Sequence, residues 1–371
     1  EGARRNLEAE LPHWDFEATR RQAKQRWNEL LQRFELEGNV AQQTAFYTAL
    51  YHACIQPNNV ADTDGTYATA NGVTGKAEGG TFYSTFSCWD TYRAAHPLYT
   101  LCVPEQVAPF VRSLVAQAEA QGHLPVWGLW GKDNYCMIAN HAVSIVAEAV
   151  CKGFDGIDRE RAWQAVERTL RVSHPAKTDW ETCLPYGYYP ADLVENESVS
   201  MTLEQAYDDY AASCMARALG KRREAREFAQ RARCWRNLFC PTTHFMRPKL
   251  ADGSWKTPFD PAALAHAEGS GGDYTEGNAW QYTWHVQHEP QQLQSGHQQR
   301  RHIGQRRRLQ HLSGAVDLIV LQQVLGLDGL NGPVGGVELH RQRHQLKHRG
   351  QGEQQDAHQE QRLTVQEHTQ Q

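Results

Sequence analysis

A glutamate set among aromatic residues is the side chain in this sequence best suited to chemistry. Glu276 lies in the run Asp273-Tyr-Thr-Glu-Gly-Asn-Ala-Trp280, and Tyr282 follows shortly after. A carboxyl group enclosed by such rings would have surroundings of low polarity, which favour the protonated form that a general acid needs near neutral pH. From composition alone, Glu276 is equally well interpreted as a residue in the first turn of a helix.

A second segment combines an indole, a carboxylate and a guanidinium within a few residues. It reads Ser87-Cys-Trp-Asp-Thr-Tyr-Arg93. If a helix begins near Ser87, Trp89 and Arg93 lie one turn apart on the same face, and Asp90 can pair with Arg93. Taken alone, this segment is better interpreted as a helix start with an ion pair.

Two further segments carry aromatic or acidic side chains close to glycines or to a helix start. Trp127 and Trp130 lie among glycines and form either an exposed platform for a ligand or a lid on the core. His141, on an apolar helical face, is better interpreted as a hydrogen-bonded core histidine. Glu195 and Glu197 could form a carboxylate pair, but acidic residues before a helix are also expected from the helix dipole, and we favour that interpretation.

Helical spacing of apolar residues dominates the first 290 residues, and strand-like alternation is scarce. Residues 203–219 follow an i, i+3, i+4, i+7 pattern, with Thr202 and Gln205 as a capping box and Gly220 as the stop. Paired helices joined by short connections predict an all-α fold, and the lack of a repeat of fixed length favours a closed ring over a solenoid. Loops rich in aromatic and acidic residues would line a pocket suited to a sugar. Similar patterns predict helices at 158–171 and 222–239.

Composition excludes several classes of partner. The chain has 371 residues, 40% of them apolar, which is enough for a sizeable core. Its formal net charge is only -5, and no long basic run precedes residue 300, so we expect neither a nucleic-acid nor a membrane surface. The nine cysteines lack the spacing of a zinc site. The sequence begins at Glu1 with no signal peptide or membrane span, and we expect it to be a fragment.

The last 81 residues differ sharply from the rest of the chain. They contain no Phe, Trp or Tyr but hold 8 of the 18 histidines and an excess of Gln and Arg. Such a composition cannot build much of a core, so we expect this tail to be disordered or translated out of frame. Only 314–330 is apolar enough to form a short helix or strand.

Six motifs, taken in their order and spacing, resemble family 92 glycoside hydrolases, which are calcium-dependent exo-acting α-mannosidases. The resemblance covers roughly residues 14 to 290. Several long motifs in one order make it specific. The motifs are Phe82 to Pro97, Leu124-Pro-Val-Trp127, Glu195-Asn-Glu-Ser-Val-Ser200, Tyr207-Asp-Asp209, Thr257-Pro-Phe-Asp-Pro261 and Asp273 to Tyr282.

The resemblance implies a fold and a chemistry. It implies a helical linker at 1–40 and a partial (α/α)6 catalytic barrel of helical hairpins at 41–290, without the amino-terminal β-sandwich of the family, followed by the tail at 291–371. It implies an inverting hydrolase of terminal α-linked mannose, acting on oligosaccharides or glycoprotein glycans outside the cytoplasm, with bound calcium. The implied general acid is Glu276. The implied substrate contacts are Trp89, Asp90 and Arg93, and to these we add Trp127, Asn278 and Trp280.

The sequence departs from the family pattern after Pro290. The family places a Gly-Asn-Glu-Pro-Ser-His-His segment and a Gly-Asn-Asp-Asp segment, which carries the general base, beyond this point, and neither is found here. No general base or calcium ligand can therefore be named. We expect this incomplete chain to be inactive, and the alternative function is that of a carbohydrate-binding or inert remnant without hydrolysis.

Overall fold

A computed structural model describes residues 1–69, 72–175, 178–264 and 272–298 of the chain. Helices account for most of the regular structure in these ranges. They are α1 (Gly2–Glu10), α2 (Phe16–Leu31), α3 (Val40–Ala53), α4 (Cys88–Thr91), α5 (Ala95–Cys102), α6 (Pro104–Gln121), α7 (Ala142–Cys151), α8 (Arg159–Thr169), α9 (Trp180–Tyr186), α10 (Ser198–Ala218), α11 (Arg222–Arg231), α12 (Ala279–Tyr282) and α13 (Pro290–Gln298).

Seven short strands supplement the helices, so the described part is predominantly helical but contains β-structure that an all-α prediction omits. They form antiparallel pairs β1–β4 and β2–β3 and a three-stranded sheet in the order β5-β6-β7. The strands are β1 (Asn58–Asn59), β2 (Thr66–Ala68), β3 (Thr74–Lys76), β4 (Tyr83–Ser84), β5 (Phe86–Ser87), β6 (Trp127–Leu129) and β7 (Lys132–Asp133).

The ends of the predicted helices follow local side-chain and backbone signals. The prediction of a helix at 158–171 is confirmed by α8, where the Asp158 side chain accepts hydrogen bonds from two backbone amides. The helix predicted at 222–239 is shorter, because α11 ends at Arg231 and a 3-10 turn follows at Cys234–Asn237. After α10 the chain turns at Gly220, whose φ of 74° lies in the left-handed region as predicted for the stop.

The start of α10 differs from the prediction. The helix begins at Ser198, before the predicted capping box, and its N-cap is Glu197 with a left-handed φ of 63°. Thr202 Oγ1 donates a hydrogen bond to the Ser198 carbonyl oxygen inside the helix, while Gln205 Oε1 accepts one from the Tyr189 hydroxyl. One bond within the helix and one to Tyr189 therefore replace the predicted cap.

Two hydrophobic clusters make up the buried interior of the described residues. The first core gathers apolar side chains of α5 to α8 and of α10, such as Leu114, Val146 and Met215. The second core contains Leu203 near the start of α10 and Tyr282 from α12. The long helix α10 contributes to both, so side chains in its middle lie at the junction of the two cores.

The predicted boundary at residue 290 falls inside folded structure. Pro290–Gln298 form α13, and Leu293 is buried in the second core. The rest of the predicted tail, including the expected element at 314–330, lies outside the described residues. Among the helices that the structure describes, none has both the length and the apolar character required to cross a membrane.

Candidate active site

The segment from β5 to α4 is anchored beside the tryptophan-rich loop. Ser87 pairs with Trp127 in the β5–β6 ladder, which puts the half-buried Trp127 next to the start of α4. Trp130, by contrast, is 69% exposed and has a left-handed φ of 50°. The predicted ligand platform therefore divides into a half-buried Trp127 near Trp89 and a Trp130 that stands in solvent.

Trp89 and Arg93 form one unit, as their spacing predicts. The Arg93 guanidinium lies 4.9 Å from the centre of the Trp89 ring, and Arg93 Nε donates to the Trp89 carbonyl oxygen at 3.0 Å. The predicted pairing of Asp90 with Arg93 is wrong. Arg93 faces the carboxylate of Glu204 at 3.8 Å, whereas Asp90 is exposed and accepts a hydrogen bond from the Ser87 hydroxyl.

Glu204 is the carboxylate on which these side chains converge. It is fully buried in α10, at the junction of the two cores. Trp89 Nε1 donates to Glu204 Oε2 at 2.6 Å, and the Tyr282 hydroxyl donates to Oε1 at 3.1 Å. Hydrogen bonds to an ionised buried carboxylate are among the stronger ones in proteins, so these contacts fix the orientation of both aromatic donors.

His141 joins Glu204 to a second buried carboxylate. Its Nε2 lies 2.7 Å from Glu204 Oε2, and its Nδ1 lies 2.9 Å from Asp208 Oδ1. Asp208 also accepts from the Ser144 hydroxyl and from the Asn140 amide. The prediction that His141 is a hydrogen-bonded core histidine is confirmed.

The charges within this cluster offset one another. Burial by itself would lower the pKa of His141, but the charges and hydrogen bonds of Asp208 and Glu204 outweigh it and raise this pKa to about 9. Burial opposes ionisation of Glu204 as well, yet the hydrogen bond from His141 and the positive charges around it lower the pKa of Glu204. At neutral pH the two carboxylates are therefore matched by protonated His141 and by Arg93.

The segment that contains Glu276 is tied to the start of α10. The Glu197 and Val199 amides donate to the carbonyl oxygens of Gly272 and Asp273. The Thr275 hydroxyl donates to Glu197 Oε1 at 2.9 Å. Glu197 therefore has the structural role expected of it, in the N-cap of α10, while Glu195 is exposed.

Glu276 itself has an unusual backbone conformation and an open side chain. Its φ of 46° is left-handed, which is uncommon for a residue with a side chain. The side chain is exposed, so the enclosure by Tyr274, Trp280 and Tyr282 expected from the sequence is not provided by the described residues. Tyr274 and Tyr282 are buried in the second core instead.

Asn278 and Trp280 follow Glu276 at the start of α12. Asn278 caps this helix through a capping box with Gln281, so its side-chain oxygen is engaged with backbone amides. Trp280 is 57% exposed, and its ring packs edge-on against Phe245 at 4.7 Å between centroids. Trp280 is the more accessible of the two predicted contacts.

The predicted site residues therefore fall into two groups. The first group lies around β5, β6 and α4 and comprises Trp89, Asp90, Arg93 and Trp127. The second group lies around α12. The hydrogen bond from Tyr282 to Glu204, together with that from Trp89 to Glu204, connects the two groups. The second group comprises Glu276, Asn278 and Trp280.

Sequence reasoning missed Glu204 and Asp208 as centres of the cluster. Glu204 lies between Leu203 and Gln205 and belongs to none of the motifs, and Asp208 stands out in the sequence only as part of the Tyr207-Asp-Asp209 motif. The signal that could have found them is their i, i+4 spacing, which puts two carboxylates on one face of a helix that is largely buried. Such a pair requires a buried cation, and His141 was the available one.

The calcium site implied by the family is not formed by the described residues. Residues 1–69, 72–175, 178–264 and 272–298 contain no cluster of three or more His, Cys, Asp or Glu side chains that could hold a metal ion. The oxygens of Glu204 and Asp208 accept hydrogen bonds from side-chain and backbone donors. These residues do not fit a calcium ion, which needs six to eight free oxygen ligands.

Comparison with known proteins decides the family. Residues 2–312 match the model of the glycosyl hydrolase family 92 catalytic domain. The chain belongs to this family. The match begins before residue 14 and extends past residue 290, so it is longer at both ends than the resemblance drawn from the motifs.

Solved family 92 structures resemble the chain in fold. The α-mannosidase BT3965 of Bacteroides thetaiotaomicron is 38% identical with a TM-score of 0.71, over 77% of this chain and 37% of its own. The inverting mannosidase BT2199 of the same organism is 31% identical with a TM-score of 0.74, over 80% of this chain and 40% of its own.

A curated relative from a fungus matches at lower identity. It is named as an uncharacterized secreted glycosidase of Arthroderma benhamiae, and it is 25% identical over 77% of this chain and 37% of its own length. The chain thus spans about two fifths of the length of these family 92 relatives.

Proposed function

We propose that the protein carrying this chain is an inverting exo-α-mannosidase that releases terminal α-linked mannose from oligosaccharides or glycoprotein glycans. The observation that carries the proposal is the cluster around Glu204, which joins three family 92 motifs through side-chain hydrogen bonds from Trp89 and Tyr282 and, by way of His141, to Asp208. The similarity of the chain to two mannosidases supports mannose as the sugar, and BT3965 has also been solved in complex with mannoimidazole.

Glu276 is the proposed general acid. Its protonated carboxyl group gives a proton to the glycosidic oxygen as the bond from that oxygen to the anomeric carbon breaks. A water molecule attacks the opposite face of the anomeric carbon and loses its proton to a general base. Inversion requires the two carboxyl groups to lie about 6.5–9.5 Å apart so that this water fits between them. No residue of this chain is proposed as that base.

The loop around Glu276 supports that role. A left-handed conformation of a glutamate costs roughly 1–2 kcal/mol and persists only where the neighbouring chain imposes it. Thr275 is held on one side, since its amide donates to Ser200 Oγ at 2.7 Å and its hydroxyl donates to Glu197. On the other side Asn278 caps α12. The exposed carboxyl group of Glu276 is thus carried by a rigid turn.

Trp89 and Arg93 are the proposed contacts to the terminal sugar, and Asp90, Trp127, Asn278 and Trp280 complete the set. An indole face packs against the apolar face of a pyranose ring, and a guanidinium donates to its hydroxyls. The Arg93 side chain is 38% exposed, so it can reach a ligand while one of its nitrogens faces Glu204. These groups can bind a neutral sugar, because neither interaction requires a charged group on the substrate.

The remaining parts of the proposal rest on the family resemblance. They are calcium as cofactor, an (α/α)6 barrel that the described helices form in part, and a location outside the cytoplasm. The name of the Arthroderma relative as a secreted glycosidase supports the location. No step is assigned to calcium here, because the described residues do not supply its ligands.

The decisive experiment compares two substrates, one whose leaving group needs a proton to depart and one whose leaving group does not. Glu276→Gln should lower kcat/KM by about 10²–10⁴-fold on mannobiose, whose leaving group needs a proton, and far less on dinitrophenyl α-mannoside, whose leaving group does not. Glu195→Gln, which removes an exposed carboxylate on the adjacent segment, is the matched control and should keep activity on both.

Product analysis completes the test. NMR spectroscopy should show β-mannose as the first product, and activity should disappear with a calcium chelator. A protein that binds mannosides but releases no mannose would instead support the carbohydrate-binding alternative. Equal losses on both substrates in Glu276→Gln would remove Glu276 from the role of acid.

A further inference from the structure

The proposed mechanism assigns no role to Glu204, although it is the most completely engaged carboxylate near the site. Its side chain is fully buried and makes contacts to α4, to the start of α7 and to α12. Burying a carboxylate costs several kcal/mol unless it is well paired. A carboxylate retained at this position must therefore be compensated by the groups it orders.

Two of these groups belong to the proposed sugar-binding surface. Oε2 of Glu204 accepts from the Trp89 indole at 2.6 Å, which fixes the rotation of the ring about its side-chain bonds. Oε1 faces the Arg93 guanidinium at 3.8 Å, and that guanidinium lies over the Trp89 ring at 4.9 Å. A single carboxylate thereby sets the mutual orientation of an aromatic face and a hydrogen-bond donor.

The other groups hold Glu204 itself. His141 bonds to Oε2 at 2.7 Å and is held from behind by Asp208 at 2.9 Å, and the ring of Tyr92 stacks on the His141 imidazole at 3.9 Å between centroids. The Tyr282 hydroxyl donates to Oε1 from the helix that follows Glu276. Glu204 is therefore immobilised by one group on each oxygen before it orders Trp89 and Arg93.

We propose that Glu204 is a positioning residue of the sugar site, which holds the Trp89 indole and the Arg93 guanidinium in the orientation that binds the terminal sugar. It does not touch the substrate and transfers no proton. This inference rests on the proposed function, since it takes Trp89 and Arg93 as the groups that contact the sugar.

The test measures ligand affinity rather than activity alone. Glu204→Gln keeps the volume of the side chain but removes the charge that orders Trp89, Arg93 and His141. The dissociation constant for mannoimidazole, measured by calorimetry well below the unfolding temperature, should rise about 10- to 100-fold. The ratio of kcat/KM on the two leaving groups should stay at its wild-type value, because Glu276 is untouched.

The matched control is Asp209→Asn on the same helix. Asp209 is buried and paired with Arg231 at 2.9 Å, so its replacement disrupts a buried carboxyl contact of similar exposure but leaves Trp89 and Arg93 alone. This variant should lose stability and keep its mannoimidazole affinity within about twofold. A purely structural role of Glu204 would make both variants behave alike.

A milder variant decides the matter if Glu204→Gln fails to fold. Tyr282→Phe removes one hydrogen bond to Glu204 and keeps the carboxylate, and it should raise the dissociation constant about threefold or more. Unchanged affinity in folded Glu204→Gln, or in Tyr282→Phe, would overturn the positioning role while wild-type binding persists. All variants are made in the full-length protein that carries this chain, and absence of both binding and mannose release in that wild-type protein would refute the proposed function, and the positioning role with it.

Discussion

Because protonated His141 lies between two buried carboxylates, the stability of the folded chain should fall as the pH becomes alkaline. Its pKa is about 9 in the folded chain against an ordinary value of 6.5. The folded state binds this proton more tightly, so the contribution is fully present below pH 6.5 and is lost as the pH rises through about 9. The difference corresponds to about 3 kcal/mol.

Urea denaturation followed by tryptophan fluorescence measures this loss. The free energy of unfolding should fall by about 3 kcal/mol between roughly pH 6.5 and pH 9.5. His141→Gln should be less stable at the lower pH and should lose much less of its remaining stability over the same interval, since glutamine does not titrate. Glu204 and Asp208 bond to the two nitrogens of the imidazole, and the Tyr92 ring stacks on it.

His288→Gln is the matched control for that variant. His288 is also buried, and its Nε2 donates to the Ala232 carbonyl oxygen at 2.9 Å. Burial lowers the pKa of His288 to about 4, so this ring is neutral across the whole interval. His288→Gln should retain the wild-type pH dependence. A free energy of unfolding that is flat from pH 6.5 to pH 9.5 in the wild type, or an equal fall in His141→Gln, would refute the reasoning.

Two further predictions concern packing. Gly131→Ala should destabilise the chain by more than about 2 kcal/mol, because its φ is 77° and a Cβ would lie 2.1 Å from the Ala68 carbonyl oxygen. Gly153 also has a left-handed φ, of 76°, but has open space around it, so Gly153→Ala should cost only about 1 kcal/mol. Leu203→Ala should cost about 2–5 kcal/mol, since Leu203 is fully buried in the second core, and Leu264→Ala, at a position 63% exposed, should change the free energy of unfolding by less than about 0.5 kcal/mol. Thermal and urea unfolding measure all four variants, and equal losses within either pair would contradict the packing argument.

Helices with strong local signals could be predicted from the sequence, and those built by distant contacts could not. Asp158 before an amphipathic stripe predicted α8 to within two residues at each end. The start of α10, Ser198-Val-Ser-Met-Thr202, contains poor helix formers and no cap signal. It is helical because its hydroxyls and amides bond to the segment around Asp273, which is remote in sequence.

The candidate site divides in the same way. The i, i+4 spacing of Trp89 and Arg93 predicted that they act together, since this depends only on the helix period. The partner of Arg93 could not be predicted, because Asp90 is adjacent in sequence whereas Glu204 arrives from another helix. The exposure of Glu276 was missed for a related reason: neighbouring aromatic residues were expected to surround it, but Tyr274 and Tyr282 turn toward the second core.

The helix α10, which packs in both cores, determines how the chain unfolds. Met215 and Ala216 lie in the first core, and Val199 and Leu203 lie in the second. Neither core can unfold without exposing buried apolar side chains of this helix, so the two cores form a single cooperative unit. The slowest amide hydrogen exchange should therefore run through the middle of α10, where Glu204 and Asp208 are. Glu204, which orders Trp89 and Arg93, and Asp208 thus lie in the part of the chain that unfolds last.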